Sequence, residues 1–317
     1  MTTLAVNRND QNQQIQEFNL QLSHQLGLHD VFTAAYVGSV SRHLSTYYNY
    51  NLYQFGTGLQ NFPTDGAITY NNYNGASNYN GLQLHFEHRQ GNDLLVTASY
   101  SLSHALDDSP GSNLSSTIPL YYNPSADYGN SLQDQRQVFS SSIVYELPFG
   151  QGKRFGGRVN YATNLLIAGW QFNVIGRIAT GTPFDLNAGS GASDADRPDV
   201  AGAISYPKNL SQWFTRASFV QPLIVPGNGV NVFSRLGTVG RDKLYGPGDR
   251  TGDVSVQKNI YLTHRYVLQL HGDFFNITNT PQFTNPDATL TDGNYGQITS
   301  IQQNSQREVQ LAARFTF

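Results

Sequence analysis

Apolar and polar side chains alternate with a period of two along most of this 317-residue chain. In residues 15–25, for example, Phe18, Leu20 and Leu22 share one face, and the residues between them are polar. A period of two is that of a β-strand with one apolar and one polar face. Runs with the helical spacing of apolar residues are scarce. The sequence therefore predicts an all-β protein.

About nine segments show this alternation, and most are close to the length of about 9 to 11 residues with which a strand crosses a membrane. They are residues 15–25, 31–41, 81–89, 94–103, 139–147, 170–178, 253–260, 268–274 and 308–317.

The connections between these segments fall into two classes. Short links (residues 27–30, 90–92, 148–164 and 261–265) alternate with long ones (residues 43–78, 107–135, 185–251 and 279–306). An antiparallel up-and-down sheet with short turns at one end and long loops at the other is typical of outer-membrane β-barrels. The long loops are rich in Tyr, Asn, Gly, Pro and Ser, so we expect them to be irregular and to face solvent.

One face of each segment is almost free of charge, as contact with outer-membrane lipid requires. Only a closed barrel pairs every backbone group of a membrane-spanning sheet. Alternation alone is equally compatible with a soluble β-sandwich. The two classes of connection and the C-terminal aromatic Phe317 favour the transmembrane barrel. In its fourth strand, Val96 and Ala98 are predicted to face lipid, and Thr97 and Ser99 the lumen.

Composition excludes several other classes of protein. Charged residues make up 13% of the chain, the formal net charge is -3 and there is no cysteine. A nucleic-acid partner is not expected because the sequence pI is about 6.2, and thiolate metal sites and disulfide scaffolds are impossible. No apolar stretch reaches the roughly 18 residues of a transmembrane helix. Residues 1–14 carry no export signal, so we expect an exported protein of this sequence to be a mature or truncated piece of a longer one.

Two groups of polar residues superficially suggest catalysis or metal binding. His85 and Glu87 share a strand face, but His88 points the other way, which does not match the helical spacing of zinc proteases. Ser103 and His104 are sequence neighbours on opposite faces of a strand, so they are poorly placed for a nucleophile and its base. The sequence therefore predicts neither an enzyme nor a cofactor.

The long loops contain two candidate binding features. Clustered tyrosines could hold a ligand by stacking and hydrogen bonding, or could pack against one another. The candidates are Tyr47, Tyr48, Tyr50, Tyr70 and Tyr73. Alternating carboxylates at Asp194, Asp196 and Asp199 could donate oxygens to calcium. They lack a full twelve-residue calcium loop, so they are candidates only and no metal site is predicted.

Several local strings resemble the C-terminal barrel of TonB-dependent outer-membrane receptors, in particular the Oar-like branch of acidobacteria. They occur along nearly the whole chain, at residues 77–83, 134–136, 145–150, 169–171, 180–184, 197–199, 246–248, 253–258, 274–283 and 317. Each string is modest alone, and their order and spacing together are specific.

The resemblance implies the last nine or so strands of a 22-stranded barrel in the Gram-negative outer membrane, with the short links on the periplasmic side. It implies import of a bulky substrate, driven by the TonB complex if the barrel is joined to a plug. It also implies that Phe317 belongs to the signal read by the barrel-assembly machinery. No plug is visible in the sequence, so residues 1–317 are expected to form a partial barrel domain. The alternatives are a self-contained or oligomeric passive pore, and a soluble β-sandwich that binds glycans.

Overall fold

A computed structural model describes residues 3–9, 11–108, 123–189, 197–263 and 265–317. Nine long strands form one antiparallel sheet in which every strand pairs with its neighbours along the chain. They are β1 (Gln14–Leu26), β2 (Asp30–Asn49), β3 (Ile68–Gln90), β4 (Leu94–Asp107), β5 (Gln137–Glu146), β6 (Trp170–Ala179), β7 (Asp249–Tyr261), β8 (Val267–Phe275) and β9 (Glu308–Thr316). The all-β, up-and-down architecture and its nine principal strands are therefore confirmed.

Strands β2 and β3 are longer than the alternation predicted, with 20 and 23 residues. At about 3.3 Å per residue they extend well beyond a hydrocarbon layer of about 30 Å. The pairing shifts register between Arg42 and Leu44 and again between Leu44 and Thr46. These irregularities break the period of two. The sequence pattern therefore ended at Ser41, although the strand continues to Asn49.

Cross-strand pairing aligns side chains of one kind into rows across the sheet. One row is apolar from β4 to β9 and contains Val96, Ile143, Val174, Val254, Phe274 and Val309. On β3 and β2 the same row ends in His88 and Asp30, which pair with each other. A row on the opposite face is polar and contains Asn173, Ser255, Asp273 and Gln310. Because strands β6 to β9 keep this division, the first face is the one that lipid can cover and the second faces the lumen.

The sheet is open at both sides. Strands β1 and β9 form its edges, and all of their residues are exposed. Each successive pair of strands is antiparallel, so the first and the ninth strand run in the same direction. The two edges could meet only as a parallel pair.

The longest connection, residues 185–251, has many solvent-facing residues, as expected, but it also contains packed structure that was not expected. Short strands pair within this region: Pro183–Phe184 with Leu244–Tyr245, Asp199–Val200 with Phe219–Val220, and Ile224–Pro226 with Asn231–Phe233. A hydrophobic core lies among them, formed by Phe184, Leu186, Phe214, Phe219, Val239, Leu244 and Tyr295. No strand longer than three residues occurs in the described part of residues 185–248.

The remaining elements are short. Thr3–Val6 pairs in parallel with β3, and Gly129–Asn130 pairs with β4. The 3-10 helices are Pro124–Asp127 and Arg216–Ser218. The connection between β5 and β6, predicted as a turn, contains helix α1 (Tyr161–Ile167), whose first turn is capped by the side chain of Asn160. In the part of the chain described, no helix is long and apolar enough to cross a membrane.

Candidate functional site

The candidate site lies at the end of the sheet where the long connections gather. Its body is the loop cluster, which we define as residues 183–189, 197–245 and 284–300. Ring contacts at Phe214 hold its core together: Phe184, Phe219 and Tyr295 lie 6.0, 5.8 and 5.3 Å away between centroids. The loop cluster is thus a preformed surface at one mouth of the barrel wall.

Arg241 joins the loop cluster to strand β4. Its Nη1 donates to the carboxylate of Asp107 at 2.8 Å, to the carbonyl of Asp107 at 2.9 Å and to the carbonyl of Asp127 at 3.1 Å. The guanidinium is nearly fully buried. Charge-assisted bonds in a buried setting are strong, and loss of one partner is costly. Arg241 therefore anchors the loops to the strand end.

Arg197 makes a second buried attachment. Its guanidinium pairs with the Asp127 carboxylate and donates to the Ala126 carbonyl at 2.8 Å. A third attachment is made by Tyr245, whose hydroxyl donates to Asp134 at 2.8 Å. Burial and this contact raise the pKa of Tyr245. The three contacts attach residues 197–245 to the connection between β4 and β5.

Asp242 is a buried carboxyl group of the loop cluster whose pKa is strongly raised. Burial, followed by the neighbouring carboxylate of Asp185, raises the pKa of Asp242 to about 7. Arg241 opposes this shift: its Nε lies 3.1 Å from Asp242 Oδ2, a distance typical of an ion pair, but without the alignment of a hydrogen bond. The residue also has a positive φ of 49°. Arg241 thus offsets only part of the cost of charging this buried carboxyl group, so ionisation of Asp242 destabilises the loop cluster locally.

The structure separates the predicted tyrosines into different environments. Tyr48 is 1% exposed and its hydroxyl donates to Asn74 Oδ1 at 2.6 Å. Tyr50 is at the surface, and its ring lies 5.8 Å from Tyr70 and 6.4 Å from Phe62. Tyr50, Phe62 and Tyr70 therefore form an aromatic surface, whereas Tyr48 is a packing residue.

Two other predicted tyrosines lie on the long strands beside this surface. Tyr47 is on β2, where it pairs with Asn71, and Tyr73 is on β3, and both are half-buried.

Of the calcium candidates, Asp199 is occupied by protein contacts. Its two oxygens accept from Arg235 at 2.8 and 2.9 Å, and the Thr238 amide also donates to it. The Arg235 contact lowers the pKa of Asp199. Asp194 and Asp196 lie outside the described residues. Within the described residues, no group of three His, Asp or Glu side chains could hold a metal ion.

The polar groups that suggested catalysis are bonded to other partners. His85 Nδ1 contacts Ser99 Oγ at 2.9 Å, and His88 Nδ1 contacts Asp30 at 2.6 Å. Ser103 donates to a backbone carbonyl, and His104 contacts Asn130 at 3.0 Å. Each of these side chains thus contacts a neighbouring strand or connection.

Sequence reasoning missed Arg241, Asp242 and their partners. Asp242 and Asp185 are 57 residues apart in the chain, and Arg241 and Asp107 are 134 residues apart. No local sequence pattern predicts contacts over such separations. The one usable signal was the pair Asp107 and Asp108 shortly after the predicted strand at residues 94–103.

The comparison with known families decides what kind of chain this is. A family model described as outer membrane beta barrel domain matches residues 1–310. The chain belongs to this family. Its location is accordingly the outer membrane of a Gram-negative bacterium, which confirms the predicted location. No protein of curated function matches the sequence.

Several solved structures are similar to this barrel domain. The outer membrane transporter YddB from Escherichia coli matches with a TM-score of 0.54 and 10% identity, over 99% of this chain and 34% of that protein. The FrpB iron transporter from Neisseria meningitidis matches with a TM-score of 0.46 and 12% identity, over 98% and 32%. The siderophore receptor PiuA from Acinetobacter baumannii matches with 0.45 and 9%, over 96% and 28%.

Identities this low show a shared fold and nothing finer. The barrel domain spans about a third of the length of these structures.

Proposed function

We propose that this barrel domain is part of the wall of a TonB-dependent, Oar-like transporter that imports a bulky substrate through the outer membrane. The observation that carries the proposal is the pair of open edges, β1 and β9. An unpaired strand edge in hydrocarbon costs several kcal/mol for each unsatisfied backbone group. These strands run in the same direction, so an all-antiparallel barrel needs an odd number of further strands between them. An even-stranded barrel, the rule in bacteria, then results.

The length of a similar transporter structure also supports this proposal. Barrels of 22 strands are wide and hold a plug in the lumen, as outer-membrane transporters do. The similar structure of YddB, described as an outer membrane transporter, is about three times as long as this chain. In this arrangement the polar face of the sheet lines the lumen. The loop cluster and the aromatic surface of Tyr50, Phe62 and Tyr70 contact the substrate outside the cell.

The protein acts in this proposal as a transporter and not as an enzyme. Its partners are the substrate, the barrel-assembly machinery that inserts it, and the TonB complex through a plug. The polar side chains that could serve catalysis contact neighbouring strands or connections, which supports this assignment.

An immunoblot of fractionated native cells, with an antibody against residues 47–79, tests the proposal. We expect an outer-membrane band far above 35.1 kDa, the mass of this chain, and retention of that protein on an immobilised periplasmic domain of TonB. An outer-membrane band at 35.1 kDa would instead favour a self-contained or oligomeric passive pore. A large protein that TonB does not retain would contradict energised transport.

A further inference from the structure

The end of helix α1 lies against the lipid-facing side of the sheet, at the end with short connections. Lys258 belongs to the same strand face as Val254 and Val256, and its Nζ donates to the carbonyl of Leu166 at 3.1 Å and to that of Ala168. The ammonium also lies 5.0 Å from the centroid of the Trp170 ring. These contacts hold the end of the helix against the lipid face.

The surface next to this attachment is apolar although it is exposed. Leu166 of α1 is 72% exposed and Tyr161 is 56% exposed. The Tyr161 hydroxyl donates to the Leu262 carbonyl at 3.2 Å, which joins the link to the turn between β7 and β8. From that turn, Tyr266 stacks on Phe315 of β9 at 5.9 Å. The two connections thus form one continuous apolar and aromatic rim.

The same rim carries positive charge without nearby acidic residues of its own. Residues 147–170 contain three cationic side chains and no Asp or Glu, and residues 259–268 contain Arg265 and no acid. Lys153 is occupied, because it pairs with Asp93 at 3.0 Å and with Glu146 at 3.1 Å. Arg154 lies over the ring of Phe155 at 5.4 Å.

The other two arginines of the rim are exposed, Arg158 on the link and Arg265 on the turn. Within the described ranges, neither they nor Arg154 form a salt bridge, so three guanidinium groups remain available.

We propose that this rim patch, made of Arg154, Phe155, Arg158, Tyr161, Leu166 and Arg265, binds the headgroup of an anionic phospholipid in the inner leaflet of the outer membrane. Short connections of such barrels lie on the periplasmic side, so the patch is at the level of that leaflet. Guanidinium groups match phosphate oxygens in a fork geometry. Exposed leucine and tyrosine beside the basic residues suit the boundary between headgroups and acyl chains.

The charge of the patch selects the kind of lipid. A zwitterionic headgroup offers a phosphate and a cancelling cation, whereas phosphatidylglycerol offers a net negative charge. Clustered basic residues at a membrane surface favour anionic lipids. The proposal concerns lipid contact and does not depend on whether the barrel is energised by TonB.

Native mass spectrometry of the complete protein, purified from outer membranes in detergent, tests the proposal. The protein is incubated with equal amounts of phosphatidylglycerol and phosphatidylcholine, and the bound lipids are counted. We expect a preference for phosphatidylglycerol that falls by about tenfold in the variant Arg154→Gln with Arg158→Gln. The matched control is Arg42→Gln with Arg307→Gln, which removes the same charge from two exposed arginines elsewhere and should keep the preference.

Additional measurements separate lipid binding from misfolding of the variants and from binding of phosphate alone. Heat-dependent gel mobility of each variant reports whether the barrel is folded, and the single substitutions replace the double one if it is not. Leu166→Asn should weaken retention of both lipids, because it removes the apolar contact. An unchanged preference in the folded Arg154 and Arg158 variants would overturn the proposal. Displacement of phosphatidylglycerol by inorganic phosphate alone, with no lipid preference, would also overturn it.

Discussion

Arg241 in the largest loop and Asp107 at the end of β4 form a buried ion pair at 2.8 Å, although 134 residues separate them in the chain. The pair means that the loop cluster is attached to the barrel wall at a fixed point. A surface of this kind is positioned by the sheet, not by the flexibility of its loops.

Replacement of Arg241 should therefore release the loop cluster. In Arg241→Gln, Asp107 and Asp242 lose their buried cationic partner, and we expect the free energy of loop opening to fall by about 3 kcal/mol. Hydrogen–deuterium exchange of residues 234–245 in detergent measures this opening. Lys243→Gln is the control, since Lys243 is exposed in the same loop, and its exchange should match the wild type. Equal protection in both variants would show that the buried pair does not anchor the loop.

The attachment of the loop cluster through Arg241 should weaken as the pH rises. Burial and Asp185 raise the pKa of Asp242 to about 7, above the value of about 3.9 in an unfolded chain. Between pH 4 and pH 7 the folded state therefore binds more protons than the unfolded state, and stability falls with increasing pH in that window. Arg241, Arg197 and Asp107 also act on this carboxyl, and burial dominates.

The variant Asp242→Asn should abolish this pH dependence. The amide keeps the shape of the side chain without a charge, and Asn tolerates the positive φ at this position. We expect slower hydrogen exchange of residues 234–245 than in the wild type at pH 8 and a small difference at pH 4.5. Wild-type protection that does not change between these two pH values would contradict the assignment of the titrating group.

The assignment of strand faces can be tested on β4. Val96 lies in the apolar row with Ile143 and Val174, whereas Thr97 lies opposite Glu87 and Ser142 on the other face. An arginine on a lipid face costs about 2 to 4 kcal/mol at the bilayer midplane and about 0 to 1 kcal/mol near the interface, so the effect should grow from Val96 to the deeper Ala98. Val96→Arg should reduce insertion into the outer membrane, and Thr97→Arg should be tolerated. Ala98→Arg and Ser99→Arg repeat the contrast two residues further on. Heat-dependent gel mobility of membrane fractions measures insertion.

The strand plan could be predicted from the sequence because it rests on a local rule. A period of two places Phe18, Leu20 and Leu22 on one face whatever the rest of the chain does. The prediction ended too early in β2 because the register shifts near Leu44 interrupt that period. Helix α1 escaped notice since seven residues are too few to display a clear helical repeat.

The loop cluster could not be predicted in this way. Its core depends on contacts such as that between Phe184 and Phe214, which no periodicity relates. Gly, Asn and Pro in these connections correctly indicated irregular backbone, but they carry no information on burial. The tyrosine motif likewise predicted ring clustering without showing that Tyr48 is inside and Tyr50 is outside.

Truncation of Tyr48 should accordingly cost far more stability than truncation of Tyr50. Tyr48 is buried and donates to Asn74, so Tyr48→Ala leaves a cavity and should cost about 3 to 5 kcal/mol of local stability. Tyr50→Ala removes a surface ring beside Phe62 and Tyr70, and its cost should stay below about 1 kcal/mol. Hydrogen exchange of residues 44–74 measures both. A large effect at Tyr50 would mean that its ring supports the loop, and the aromatic surface would then lose its place as a candidate substrate contact.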